Sequence, residues 1–474
     1  MQLQKIEQFL MVGACMIGTQ ACSTSTPKEQ SKPNIIVILA DDAGYADFGF
    51  MGCDDLETPN IDRIANTGIS FNDAHVTASV CSPSRAGLLT GRYQNRFGHE
   101  SNLPPHNMGM DPKQHTIADA LKSVGYKTAA IGKWHLGETD NYHPNNRGFD
   151  EFYGFLGGHR SYFHNKKEDI TGHPHAILHN HERVDFDGYL TDVFGDKAVE
   201  YIDQFKDNPF FIFLSFNAVH VPMDATQEDL NRYKDHPRQK LAAMTWAMDR
   251  SVGKVLKKLD QENLTDNTLI FFLSDNGGSP NNQSSCLPLK GHKGNKFEGG
   301  HRVPFAMCWP NKLPATTGYN GLTSSLDIAA TIASITNVEK QYTDSLDGVN
   351  LIPFLTTATN KSPHEKLYWK RDIMAASRYK NFKLIWLHNY GYKLYDLDKE
   401  INEYTDIKDQ NPLLFETMKN ELHSWNSQMP KAWWPEPAEW QEVNQYLFED
   451  LMENRPPRVK SPAALKRLKA AGKL

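Results

Sequence analysis

The chain has 474 residues, 39% of them hydrophobic and 23% charged, with a formal net charge of -6. That length suits one large core plus an appendage, since single cores stop growing at roughly 250 to 300 residues. The mild acidity and the absence of a polybasic block exclude nucleic acid as the expected partner.

The N-terminus departs from this soluble composition. Lys5 precedes an apolar run from residue 9 to 18 that is too short to span a bilayer as a helix, and a polar stretch around Pro27 follows. This predicts an export leader over residues 1–22 and a polar linker over 23–31, delivering the mature chain to the periplasm or the cell surface. Cys22 follows a small residue where a lipoprotein leader is cut, although Thr19 stands where an aliphatic residue is usual. Lipidation of Cys22 is the one membrane attachment expected. Cys15 and Cys22 belong to the leader, and Cys53, Cys81, Cys286 and Cys308 are spaced too widely for a CxxC pair or a disulfide framework.

From Lys32 onward, residues 35–40 form a continuous apolar run without alternation, which reads as a strand buried on both faces of a parallel sheet. Runs within 125–137, 208–222 and 267–278 have the same form. Helical patterns separate them: over 116–125, Thr116 is placed to cap, Ile117, Leu121 and Val124 share a face, and Gly125 stops the helix. A second helix is predicted over 249–259, with Val252, Val255, Leu256 and Leu259 on one side. After Pro363 the texture changes to short antiparallel strands within 367–387 and 392–407, then a helix over 413–425. The expected fold is α/β: a large domain over 32–363 with a mostly parallel sheet between helices, plus a smaller C-terminal α+β subdomain with an antiparallel sheet over 364–474. Trp433, Trp434 and Trp440 in the tail either pack on the body or stack on sugar rings.

In open α/β sheets, ligands bind beyond the carboxyl ends of the strands. The four apolar runs deliver Asp41 and Asp42, Lys133 and His135, His220, and Asp275 and Asn276 to that edge. The carboxylates and the amide offer hard oxygen ligands, suited to Ca²⁺ or Mg²⁺ rather than zinc. Cys81 opens a helix in "CSPSRAGLLTGR", where unpaired N–H groups favour anions and thiolates, and Arg85 lies one turn on along the same face. Together these groups describe a site for a divalent anion.

"CSPSRAGLLTG" resembles the signature of the formylglycine-dependent type I sulfatases of the alkaline phosphatase superfamily. "ADDAG", "GKWHLG", "NAVHVP", "LSDNGG" and "GHKGNKFEGGHRVP" are similar to the other blocks of that family, in its order. The resemblance implies an alkaline-phosphatase-like catalytic domain and hydrolysis of sulfate esters. Cys81 would be oxidised during export to formylglycine (3-oxoalanine) by a formylglycine-generating or anaerobic sulfatase-maturating enzyme. One hydroxyl of the hydrated aldehyde would then attack sulfur, and the second would expel sulfate. Asp41, Asp42, Asp275, Asn276 and residue 81 would hold Ca²⁺, with Mg²⁺ the lesser choice.

By the same resemblance, Arg85 and Lys133 would steady developing negative charge, and His135 would deprotonate the second hydroxyl. His220 and Lys293 would sit at the ester oxygen, one of them donating its proton; the resemblance does not say which. His159 and Arg160, in "GFLGGHRSYF", are candidate substrate contacts, and Glu298 and Arg302 would lock the loop that carries Lys293. His173, His175, His179 and His181 read as a surface hairpin rather than a transition-metal site. The expected substrate is sulfated carbohydrate, a polysaccharide or its oligosaccharides. The alternatives are a phosphomonoester or phosphonate hydrolase on the same fold, and a lipoprotein that captures sulfated glycans and never matures Cys81.

Overall fold

The computed structural model describes residues 32–357 and 361–474. The predicted leader, the polar linker and the lipidation site Cys22 lie outside the described residues. Lys32–Leu474 forms one compact unit.

The predicted apolar runs are strands of one sheet. In chain order, the elements that matter are β1 (Asn34–Ala40), α1 (Cys81–Thr90), α2 (Ile117–Ser123), β2 (Lys127–Lys133) and β3 (Glu151–Phe155). They are followed by α3 (Leu190–Phe205), β4 (Phe210–Ser215), α4 (Gln239–Gln261), β5 (Thr268–Ser274) and β6 (Phe305–Cys308). Within a ten-stranded sheet these strands lie in the order β6, β5, β1, β4, β2, β3; neighbours from β5 to β3 pair in parallel, and β6 is antiparallel.

The absence of alternation in the sequence has a direct cause. Successive side chains of a strand point to opposite faces, and both faces here are covered. Ile36, Ile38, Ile212, Leu214, Ile270 and Phe272 pack with α3 and α4 on one side. Ile35, Val37, Phe211, Phe213, Leu269 and Phe271 pack with α1 and α2 on the other. Each such fully buried side chain contributes roughly 1.5–3 kcal/mol, so a polar residue in either register would weaken the sheet.

Helix α2 begins as predicted: Thr116 accepts from the Asp119 N–H, and the Asp119 carboxylate accepts in return from the Thr116 N–H, closing a capping box. The helix predicted over 249–259 is longer than expected. It starts at Gln239 because Leu241, Ala242, Met244 and Met248 continue the same buried stripe.

Beyond residue 363, β7 (Lys366–Arg371), β8 (Met374–Tyr379), β9 (Phe382–Leu387) and β10 (Gly391–Asp396) form the antiparallel sheet in simple order. α5 (Pro412–Ser427) covers one face through Met418 and Leu422, and α6 (Ala438–Met452) covers the other through Phe448 and Met452. This sheet is fastened to the large one: Trp369 in β7 donates its indole N–H to the Val76 carbonyl at 2.8 Å. Trp434 is buried against the His99 ring with centroids 4.8 Å apart, while Trp433 is 43% exposed. The cysteines among the described residues, Cys53, Cys81, Cys286 and Cys308, are all free thiols.

Candidate active site

Four parallel strands end at one edge of the sheet, and each hands a polar group to the same place. After β1, Asp42 adopts a left-handed backbone (φ 63°). That turn is held through its carbonyl, which accepts from Asn282 Nδ2 (3.1 Å) and Ser284 Oγ (2.9 Å). Asp47 ties the same loop down by accepting from the Gly44 N–H (2.8 Å) and from Arg238 Nη1 (2.6 Å). After β5, Asp275 Oδ1 accepts from the Asp42 N–H (3.3 Å), and Asn276 Nδ2 donates to Asp42 Oδ1 (2.8 Å). Asp41, Asp42, Asp275 and Asn276 are all buried.

Cys81 is the first residue of α1, a helix buried along its whole length. Its Sγ lies 3.5 Å from Asp41 Oδ1 and 3.2 Å from Lys293 Nζ. The helix terminus alone predicts a low-pKa thiolate, and the surroundings reverse that. Burial, with Asp275 adding to it, pushes the Cys81 thiol well above its usual range. The unmodified side chain is therefore a protonated thiol and a poor nucleophile.

Cations fill the spaces between the carboxylates. Arg85 Nε donates to Asp275 Oδ2 (2.9 Å), and its Nη1 donates to Ser215 Oγ (2.5 Å) and to the Lys133 carbonyl (3.0 Å). Lys133 Nζ reaches Asp41 Oδ2 at 2.5 Å. Lys293 Nζ lies 2.6 and 2.8 Å from the two oxygens of Asp42. Burial opposes the charged forms of both Lys293 and Asp42, but their mutual attraction outweighs it, holding Lys293 above and Asp42 below their ordinary ranges.

The loop that carries Lys293 is anchored from behind. Buried Glu298 accepts from Lys383 Nζ (2.7 Å) and Arg378 Nη1 (3.0 Å), both on the small sheet, and from Arg302 Nη1 (3.3 Å). Glu298 also sits with His75 and His301 in a cluster of metal-ligand type. Its oxygens are already committed to three cations.

Both histidines have tautomers fixed by carbonyl acceptors. His135, at φ 60°, donates from Nε2 to the Asn102 carbonyl (3.2 Å), so Nδ1 is left unprotonated, buried and without a partner among the described residues. His220 donates from Nδ1 to the Val221 carbonyl (2.6 Å), which turns its bare Nε2 toward Asp42 Oδ2 at 3.5 Å. Tyr162 pins that loop with a hydroxyl shared between the carbonyls of Asn217 (2.5 Å) and His220 (2.8 Å). Burial, reinforced by Lys133, lowers both imidazoles, His220 to about 3 and His135 well below its usual value.

Above Cys81 opens a cleft of about 260 Å³ whose walls include His135, Glu138, His159, His175 and His220. The expected pair His159 and Arg160 separates here. His159 is exposed and lines the cleft, its ring centroid 4.6 Å from that of His175. Arg160 does not line it, a correction to the expectation. It is 1% exposed, paired with Asp169 at 3.1 Å, and bonded to the Ser161 and His175 carbonyls. A buried guanidinium with a carboxylate partner stays where its charge is matched, and this one braces the loop. The four histidines of 173–181 likewise divide: His175 faces the cleft with the His173 ring 5.0 Å from its own, while His179 and His181 stand half exposed in a hairpin.

Sequence reasoning missed several contributors. Ser82 donates its hydroxyl to the His135 carbonyl (2.6 Å) and accepts from His99 Nε2 (2.7 Å), bracing the left-handed His135 backbone. Its place within the signature was the available signal. Glu138, directly after "GKWHLG", was another.

The donor set fits a hard divalent cation. Asp41 and Asp42 converge with Cys81 and His220 in a group whose ligand atoms lie within 4.8 Å of one another. Asn276 Oδ1 is buried with no hydrogen-bond partner among the described residues, and faces a deficit that a cation would fill. With Asp275 alongside, oxygen donors dominate.

These features have counterparts in known proteins. A family model described as Sulfatase matches residues 33–338, and one described as N-sulphoglucosamine sulphohydrolase, C-terminal, matches 292–428. N-acetylgalactosamine-6-sulfatase of Canis lupus familiaris is 33% identical over 349 residues, covering 68% of this chain and 65% of that protein. The chain thus spans just under two thirds of that relative's length. Uncharacterized sulfatase YdeN of Escherichia coli (strain K12) is 31% identical over 411 residues, covering 74% of this chain and 71% of that one. Among solved structures, Ps i-CgsB in complex with k-i-k-neocarrahexaose superposes with a TM-score of 0.82 at 37% identity, covering 87% of this chain and 97% of that one. The Sulfatase match spans all the residues that build the site, from Asp41 to Lys293, and this chain belongs to the sulfatase family.

Proposed function

We propose that this sulfatase hydrolyses sulfate esters of carbohydrates, using a formylglycine made from Cys81 and a divalent cation, Ca²⁺ before Mg²⁺. The observation that carries the reading is the meeting of Cys81 with Asp41, Asp42, Lys133 and Lys293 in one buried cluster that opens on the cleft. Two lysines beside a hard-cation site suit a sulfate ester and the extra negative charge that develops as its bond to the sugar oxygen breaks. The neocarrahexaose bound to Ps i-CgsB and the amino-sugar ester named for the canine relative support a sugar substrate.

Asp41, Asp42, Asp275 and Asn276 would hold the cation. When bound, it supplies Lewis-acid polarisation of a sulfate oxygen and fixes the oxygen nucleophile that formylglycine hydrate provides. The chain's own groups do the rest. Lys133 and Lys293 bind the sulfate oxygens, and Arg85 holds Asp275 in place. His135, with Nδ1 unprotonated and unpartnered among the described residues, accepts a proton from residue 81. The proton for the departing sugar oxygen is placed on Lys293, because His220 has committed its one N–H to the Val221 carbonyl and Lys293 Nζ lies beside residue 81.

The apolar leader before Lys32 supports export, with maturation of Cys81 by a formylglycine-generating or anaerobic sulfatase-maturating enzyme, and lipid attachment at Cys22. The test is mass spectrometry of the residue 81 peptide combined with sulfate release from a panel of sulfated oligosaccharides. The expected result is a peptide about one sulfur lighter than the cysteine form, together with turnover that chelation abolishes. Faster phosphate than sulfate release from matched esters would overturn the reading.

A further inference from the structure

The wall of the cleft carries a charge that the sulfate-binding floor does not need. Among the described residues lining it, Glu138 is the one acidic side chain, and no lysine or arginine accompanies it. The imidazoles that line the cleft beside it do not offset it: burial lowers both His159 and His175, the latter to about 4, so both are neutral near pH 7. Arg160, next to His159 in the sequence, is turned into the loop and spent on Asp169. The cleft is therefore polarised: Cys81 at its base lies 3.2 Å from Lys293 Nζ in the buried cluster beneath it, and a carboxylate stands on its wall.

The carboxylate is also held in position. Gly137 has φ 126°, and a Cβ there would lie 2.4 Å from that of Tyr142, so only glycine fits the turn that leads into Glu138. The Leu136 carbonyl accepts from the Met110 N–H at 2.8 Å. His106 Nδ1 meets Glu138 Oε2 at 3.1 Å, and Oε1 has no protein partner among the described residues. His106 is 74% exposed, so solvent weakens that pairing.

Resting on the reading above, we infer that Glu138 selects a sugar unit whose single anionic group is the sulfate ester being cleaved. Its free oxygen accepts a hydrogen bond from an unsubstituted hydroxyl of that unit. A second sulfate or a uronate carboxylate on the same unit meets like charge in a partly desolvated cleft. A hydrogen bond to a charged group is lost and a repulsion gained, and each is worth on the order of tenfold or more in affinity.

The test compares methyl hexosides bearing one sulfate with the same hexosides bearing a second sulfate at each remaining position. The matured wild-type protein is expected to favour the monosulfates by at least about tenfold in kcat/KM. Glu138→Gln, which keeps shape and removes charge, should lose about tenfold on the monosulfates and bring the disulfates within about threefold of them. His106→Ala should widen the wild-type preference. If the ratio is the same in wild type and Glu138→Gln for every position, the inference is overturned. Calorimetric binding of the same sugars to Cys81→Ser, with and without Glu138→Gln, needs no turnover. Discrimination seen there, with a matured protein that releases no sulfate, would sink the hydrolase reading and leave the role of Glu138 standing.

Discussion

Arg85 sets Nε and Nη2 against a single oxygen of Asp275, Oδ2, at 2.9 and 2.8 Å, with both side chains fully buried. Oδ1 is left to the Asp42 N–H and to the cation side of the site. Arg85 thus decides which way the carboxylate faces. Arg85→Ala strands a buried charge and is expected to cost about 3–5 kcal/mol of stability. Arg85→Lys keeps the charge, but one ammonium cannot also serve Ser215 and the Lys133 carbonyl. That protein should fold and lose turnover on the order of 10²-fold. Thermal unfolding beside sulfate release checks both, and a fully active Arg85→Lys enzyme would contradict the assignment.

Ser82 acts on the chemistry through the backbone of His135. Ser82→Ala deletes the donor to that carbonyl and strands the His99 N–H. The expected outcome is a fall in kcat of about tenfold with KM little changed, because a misplaced base weakens the transition state more than binding. Steady-state kinetics on protein whose residue 81 is verified as formylglycine is the measurement; a rise in KM alone would argue for substrate contact instead.

Acid sensitivity has an identifiable source in His99, which burial holds at about 3 in the folded chain. Unfolded, the same ring binds a proton below about pH 6.5. The folded state's advantage is therefore complete above pH 6.5 and is lost as pH falls from there toward 3, at about 1.4 kcal/mol per unit. His99→Gln, which still donates to Ser82, should remove about one proton from the uptake on unfolding. Denaturant melts between pH 7 and pH 5 would show a shallower slope, and an unchanged slope would remove His99 from the account.

The neighbours His159 and Arg160 should part company under mutation. His159→Ala is expected to raise KM for a sulfated sugar several-fold and leave the melting temperature within a degree or two. Arg160→Ala uncovers Asp169, whose side chain is 2% exposed, and should cost about 3–5 kcal/mol of stability. Differential scanning calorimetry with kinetics distinguishes them. If Arg160→Ala melts like wild type while losing only substrate affinity, the bracing role is wrong.

Much of the site was legible because a parallel sheet brings the carboxyl ends of its strands to one edge. Once residues 35–40 and 267–274 read as doubly buried strands, Asp41, Asp42, Asp275 and Asn276 had to meet. Arg160 was misread for the opposite reason: sequence places a residue in a loop but does not say which way its side chain turns, and Asp169 settles that. Ser82, His99 and Glu138 were missed because their partners are remote or belong to a cavity wall. The Ser82 bond to His135 spans 53 positions, and Trp434 reaches Ser101 across 333.

By itself the sequence determined the kinds of groups present and the order in which the strands deliver them, since apolar runs, caps and strand termini are local. Protonation and direction were decided by the tertiary structure. Burial among carboxylates makes Cys81 a thiol where a helix terminus alone favours a thiolate. Carbonyls at 102 and 221 choose which nitrogen of His135 and of His220 is bare. These properties depend on fields and hydrogen bonds between segments that meet only when the sheet is formed.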